Sequence, residues 1–136
     1  IVCLTEASKS YGFLEEMVVH VEKLLQSLGL PYRILLLCGG DMGFTSAMTY
    51  DFEVYSAAQQ RWLEVSSVSN FESYQTNRMK IRTKDENGKT QLLHSLNGSS
   101  LALPRILASI LENYQTPEGI KIPEVLQPYF GSAIIS

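Results

Sequence analysis

The sequence has little cysteine, little charge and no long apolar run. Two cysteines, Cys3 and Cys38, stand alone in 136 residues. They form no CxxC pair and no disulfide framework. Both lie in apolar, strand-like stretches, so the expectation is two buried free thiols in a reducing compartment. The longest apolar run, Ile34 to Cys38, is far short of the about 20 residues that span a bilayer and reads as a buried strand. The formal net charge is −3, so the chain lacks the broad basic face of an autonomous nucleic-acid binder. Its one basic cluster is Arg78, Lys80, Arg82 and Lys84. The alternate spacing predicts one face of a strand, either solvated or in contact with RNA. No basic leader precedes Ile1, so no signal peptide is expected. A chain that opens on the strand-like Ile1-Val2-Cys3-Leu4 reads as a piece of something longer. No Gly-Lys-Ser/Thr follows Gly39-Gly40-Asp41-Met42-Gly43, which excludes a Walker A loop.

What is present is a packed globular chain, 45% hydrophobic and 18% charged. After the first strand, Ser8 or Ser10 can cap a helix whose Leu14, Met17, Val21, Leu24 and Leu28 recur at steps of three and four, widened by Phe13, Val18 and Leu25. Gly29 and Pro31 stop it. His20 sits at the boundary of the apolar stripe. Tyr32 to Cys38 reads as a strand buried on both faces. Tyr50 to Tyr55 and Arg61 to Ser69 read as an antiparallel hairpin turning at Ala57 to Gln60. A short helix fits Glu72 to Arg78. The turn Asp85-Glu86-Asn87-Gly88-Lys89 joins strands near Met79–Lys84 and Thr90–Leu96.

Leu101 to Tyr114 is the last helix, with Ser99 or Ser100 as cap, Pro104 in its first turn, and Leu103, Ile106, Leu107, Ile110, Leu111 and Tyr114 on one face. Ile122-Pro123-Glu124 and Gln127-Pro128-Tyr129 read as a final extended surface segment. The order predicts an α+β fold, an antiparallel sheet flanked by helices. With no repeat and no linker, residues 1–136 form one domain.

Two places could carry chemistry. The hairpin sets Glu53 nearly opposite Glu64 on one face. Directly opposed like charges destabilise a sheet unless a cation, an arginine or solvent relieves them. Ser66 and Ser67 add oxygen donors nearby, and carboxylate with hydroxyl and water suits magnesium. Two solvated glutamates are the plain alternative. The second place is Leu96-Asn97-Gly98-Ser99-Ser100-Leu101-Ala102-Leu103-Pro104-Arg105, where a strand ends, small residues follow and a helix begins. Such a helix start offers free N–H groups to an anion, and Arg105 could add fixed positive charge. An ordinary helix start with a surface arginine is the alternative. No serine has a histidine placed beside it by sequence, and His94 reads as a satisfied, partly buried side chain. A hydrolase therefore has little support.

Seven segments in order then resemble the seryl-tRNA synthetase family: Leu28-Gly29-Leu30-Pro31-Tyr32-Arg33; Gly40-Asp41-Met42-Gly43-Phe44; Tyr50-Asp51-Phe52-Glu53-Val54; Glu64-Val65-Ser66-Ser67 with Ser69-Asn70; His94-Ser95-Leu96-Asn97-Gly98-Ser99; Leu111-Glu112-Asn113-Tyr114-Gln115; and Ile122-Pro123-Glu124-Val125-Leu126 with Pro128-Tyr129. The resemblance implies a partial class II synthetase catalytic fold, the C-terminal portion of a catalytic domain. It implies ATP-dependent activation of L-serine and its transfer to tRNA(Ser) by a cytoplasmic homodimer. It makes Glu64, Val65, Ser66 and Ser67 an ATP-binding segment, with Glu64 and Ser67 contacting Mg2+. Ser99 falls where the family contacts L-serine, and Arg105 on the motif 3 arginine that meets the ATP γ-phosphate.

One difficulty follows: residues three apart point to opposite faces of a regular strand, so Glu64 and Ser67 can share an ion only if the strand bends or ends. The family often has glycine where Ser100 and Pro104 stand. Thr5-Glu6-Ala7 resembles a serine-binding motif by letters but lies in the wrong place. The family's N-terminal tRNA-binding arm, motif 1 and motif 2 are expected outside this chain, which is then inactive alone. The alternative is a synthetase-like binding or regulatory protein.

Overall fold

Five antiparallel strands carry the computed structural model, which describes residues 1–136. The chain runs β1 (Val2–Thr5), α1 (Ser10–Ser27), β2 (Tyr32–Leu36), β3 (Met48–Ser56), β4 (Arg61–Asn70), α2 (Tyr74–Met79), β5 (Arg82–Lys84), β6 (Thr90–Leu92), β7 (His94–Gly98), α3 (Leu103–Asn113), β8 (Gln115–Thr116), β9 (Gly119–Lys121), α4 (Gln127–Phe130) and β10 (Ile134–Ile135). The main sheet has the order β1-β7-β4-β3-β2; β5–β6 and β10-β9-β8 form two small sheets. The α+β architecture is the one expected.

One face of the main sheet holds the core. Leu14, Val21 and Leu25 of α1 pack against Phe52, Val54, Val65, Val68 and Leu96, all fully buried, and Ile106 and Ile110 of α3 close the same layer. Fully burying a side chain of this kind contributes roughly 1.5–3 kcal/mol. α1 ends in a Schellman motif. Leu30 N–H donates to Leu25 O and Gly29 N–H to Gln26 O, with Gly29 at φ +64°. The Tyr114 hydroxyl donates to Leu28 O at 2.6 Å, and a Cβ on Gly29 would lie 2.5 Å from that hydroxyl oxygen.

Several expectations need correction. β2 is an edge strand, so it is not buried on both faces; it ends at Leu36, which is 59% exposed. Cys38 is consequently exposed and Cys3 only partly buried. Neither Ser8 nor Ser10 caps α1, because a 3-10 turn over Ala7–Lys9 leads into it and the preceding residue is Lys9. Buried Ser10 instead donates to Ala7 O and meets His94 Nδ1 at 2.9 Å and Asn70 Nδ2 at 3.2 Å. Ser10 Oγ thus sits inside a buried polar network, with Ala7 O, His94 Nδ1 and Asn70 Nδ2 all within hydrogen-bond distance.

The α3 helix starts after Ala102, not Ser99 or Ser100, and Leu103 and Leu107 face outward while Ser109 is buried. Pro104 does lie in its first turn. The basic cluster is not one strand face: Arg78 lies in α2, Lys80 is its left-handed C-terminal residue, and only Arg82 and Lys84 share β5. The expected long strand Thr90–Leu96 is broken between β6 and β7, which belong to different sheets. The C-terminal segment is not simply extended: Ile122 and Pro123 are buried and Gln127–Phe130 is helical, with Pro128 and Tyr129 at the surface as expected.

Candidate functional site

The site is built on the sheet face opposite the core. In the β3–β4 register Asp51 faces Ser67 and Phe52 faces Ser66, but Glu53 faces Glu64. β4 therefore carries one extra residue, Val65, in a β-bulge. Across it the alternation changes: Val65 and Ser66 are both buried, whereas Glu64 is exposed and Ser67 partly so. Asp51 and Glu53, two apart on β3, share a face. Glu64 and Ser67 therefore share that face too. The bulge is the bend that three-residue spacing demanded.

The opposed glutamates are relieved by two arginines. Arg33, paired with Glu53 across β2–β3, donates from Nε to Glu53 Oε2. Arg105 Nη1 lies 3.9 Å from Glu64 Oε2 and donates to the Glu64 carbonyl oxygen. Arg33 also lies 4.7 Å from the ring centroid of Trp62, itself edge-on to Tyr55. Nothing in the sequence pattern marked Arg33 for this task. Its signal was the register that puts it beside Glu53.

Ser99 reaches the floor because β7 continues past its last strand residue. Ser99 N–H donates to Ser67 O at 3.1 Å and Ala102 N–H to Val65 O at 2.8 Å. The Ser99 Oγ accepts from Ser67 N–H at 3.2 Å, and its carbonyl accepts from Ser66 Oγ at 2.6 Å. The Ser99 hydroxyl thus keeps a proton to donate. The close approach needs glycine next door, since a Cβ on Gly98 would lie 2.9 Å from both Ser67 O and Val68 Cγ2.

Of the residues singled out in the sequence, Arg105 meets Glu64 and Ser99 meets Ser67, two pairs three residues apart along β4, with Glu53 beside Glu64. Val65 and Ser66 are buried on the core side and contribute backbone and scaffold. Glu64 and Arg105 line a cleft of about 520 Å³ between the hairpin and α3; Ser67 and Ser99 lie outside it. Sequence reading also passed over Asp51, whose Oδ1 is buried without a hydrogen-bond partner on the same face, opposite Ser67. No group of three or more His, Cys, Asp or Glu converges tightly enough to hold a metal by itself. The donor set suits a hard cation that takes one or two carboxylates and completes its shell with water and phosphate, as Mg2+ does.

A family profile described as tRNA synthetase class II core domain (G, H, P, S and T) matches residues 1–114. The chain belongs to that family. It is 56% identical to a serine–tRNA ligase of Neisseria gonorrhoeae over 129 residues, 94% of this chain and 30% of the relative. It is 58% identical to one of Chromobacterium violaceum over 123 residues, 90% of this chain and 29% of the relative. The fold superposes on the seryl-tRNA synthetase of Pyrococcus horikoshii, crystallised with ATP, with TM-score 0.92 at 33% identity, covering 99% of this chain and 31% of that one. The cytoplasmic serine–tRNA ligase of Naegleria fowleri, in complex with AMP, gives 0.90 at 35% identity, covering 99% of this chain and 32% of that one. The chain thus spans about 30% of the length of the curated relatives it matches. No helix is long and apolar enough to cross a membrane.

Proposed function

We propose that this chain is the ATP- and serine-binding portion of a cytoplasmic, homodimeric serine–tRNA ligase, which activates L-serine as seryl-adenylate and transfers it to tRNA(Ser). The observation that carries the reading is the bulge at Val65, which turns Glu64 and Ser67 to one face between Arg105 and Ser99. Arg105 binds the γ-phosphate of ATP, and Glu64 and Ser67 are the residues that would hold Mg2+, which would supply positive charge against the phosphates. The free hydroxyl proton of Ser99 is available to an acceptor on L-serine. Adenylate formation needs preorganised positive charge and orientation and no protein nucleophile, in keeping with the commitment of Ser10 to its buried network.

On this reading the tRNA-binding arm, motif 1 and motif 2 belong to the rest of such a ligase, and the chain alone binds nucleotide without catalysing exchange. The test has two arms. Mg–ATP added to this chain should perturb the emission of Trp62, the only tryptophan. Serine-dependent ATP–pyrophosphate exchange should appear only when the sequence is joined to the rest of a ligase. Absence of any ATP response, or exchange with a different amino acid, would overturn the reading.

A further inference from the structure

Three carboxylates stand on the outer face of β3 and β4, and two of them have an arginine. Glu53 is met by Arg33 and Glu64 by Arg105. Asp51, two residues before Glu53, meets no cation; the remaining ion pair of the chain joins Lys9 to Glu6. The Asp51 Oδ1 is buried with no hydrogen-bond partner. Burying such an acceptor costs free energy unless something donates to it. An orphaned acceptor beside a ligand site therefore points to a use.

The side chain opposite Asp51 is the hydroxyl of Ser67, paired with it in the β3–β4 register. The backbone of Ser67 is committed to Ser99, its N–H to Ser99 Oγ and its carbonyl to Ser99 N–H, while its hydroxyl stays free. The next pair along the same face shows the reach. Thr49 pairs with Ser69, and their hydroxyl oxygens lie 2.8 Å apart. Opposed side chains on one face start from Cβ atoms about 4.5–5.5 Å apart, so a carboxylate and a hydroxyl in the same relation can meet. A hydroxyl that gives a lone pair to a cation still has a hydrogen to place. Groups that bind a metal are oriented by hydrogen bonds to their surroundings, and those partners tune the affinity.

We propose that Asp51 is a positioning residue: its Oδ1 accepts the hydroxyl hydrogen of Ser67 and so turns the Ser67 oxygen towards the cation. The inference rests on the proposed function, which makes Ser67 a Mg2+ ligand. Asp51 itself touches neither metal nor substrate. Its orphaned oxygen destabilises the free chain, and the turn of the serine relieves it.

The test is the Mg2+ dependence of the Trp62 response to ATP, measured on this chain and its variants. Asp51→Ala should raise the Mg2+ concentration at half-response about tenfold or more. Asp51→Asn keeps an acceptor oxygen and should lose clearly less. In a Ser67→Ala background, Asp51→Ala should add nothing, because the two residues act as one unit. The urea midpoint without nucleotide should hold or rise in Asp51→Ala, since a buried acceptor without a partner is gone. Equal losses from alanine and asparagine would assign the effect to charge alone. Additive losses with Ser67→Ala would separate the two residues, and a urea midpoint that falls with the response would make Asp51 structural. Each of these results overturns the proposal. An unsubstituted chain with no ATP response removes the ligase reading and this inference together. A normal response whose Mg2+ dependence is unchanged in Asp51→Ala removes the role of Asp51 alone.

Discussion

Glu64 and Ser67 stand on one face of β4, although their spacing would send them to opposite faces of a regular strand. The extra residue between them, Val65, packs into the core beside Ser66 and leaves both oxygen donors facing out.

The first concerns charge balance. Arg33→Ala leaves Glu53 directly against Glu64 with only Arg105 nearby. Both arginines are about half exposed, so the loss in stability should be modest, about 1 kcal/mol. Glu53→Gln in the same protein should recover most of it. Urea denaturation of the two single variants and the double variant measures the coupling; simple additivity would show that Arg33 does not act through Glu53.

Arg105 should matter to binding far more than to folding. Its side chain is about half exposed, while Ile106 and Ile110 on the same helix carry the packing. Arg105→Ala should change stability by less than about 1 kcal/mol yet weaken the Mg–ATP response of this chain severalfold. In a complete ligase it should slow serine-dependent exchange on the order of a hundredfold. Lysine should rescue poorly, since it lacks the planar fork. Loss of activity that tracks a falling melting temperature would remove Arg105 from the site.

Gly98→Ala tests the seam between β7 and β4. The added methyl would press on Ser67 O and Val68 Cγ2, backbone and buried core that cannot swing aside. A cost of about 1–3 kcal/mol is expected, with Ser99 displaced from Ser67 and nucleotide binding weakened in proportion. Unchanged stability would mean that the strands separate without penalty.

Alkaline pH should loosen the α1–β3 contact. Burial, then a hydrogen bond to Glu15, raises the Tyr50 phenol above its ordinary value near 10. A raised folded-state pKa gives stability that is complete below about pH 10 and is lost as pH climbs through the folded value. Melting temperature should therefore fall above pH 10, and Tyr50→Phe should flatten that fall. An identical decline in both proteins would assign the alkaline transition elsewhere.

Much of this was legible in the letters. The step-three-and-four stripe of α1, its stop at Gly29, and the hairpin that opposes Glu53 and Glu64 all follow from local periodicity and turn chemistry. The failures share a cause: position in a sheet is not written locally. Ile34 to Cys38 is apolar enough for a central strand, yet β2 takes the edge, which leaves Leu36 and Cys38 exposed. Leu103 and Leu107 fit the apolar stripe of α3, but the sheet offers a contact only to the side carrying Ile106, Ser109 and Ile110. Arg33 and Asp51 became site-facing residues only through the cross-strand register. The bulge itself has no letter code; the spacing of Glu64 and Ser67 merely required that something of its kind exist.

The bulge also sets which length changes this protein can survive. It works as a phase shifter: inward and outward positions before Val65 are out of step with those after Ser66. A residue gained or lost in the exposed turn at 57–60 lies upstream of that shift and can be absorbed at the loop tip. A residue lost between Glu64 and Ser67 would remove the bulge: the two donors, then two apart, would still share the outer face, but only one core-side residue would remain where Val65 and Ser66 now both pack and hold Ala102 and Ser99. The extra residue therefore supplies a second core-side position, through which β4 anchors the segment that leads into α3.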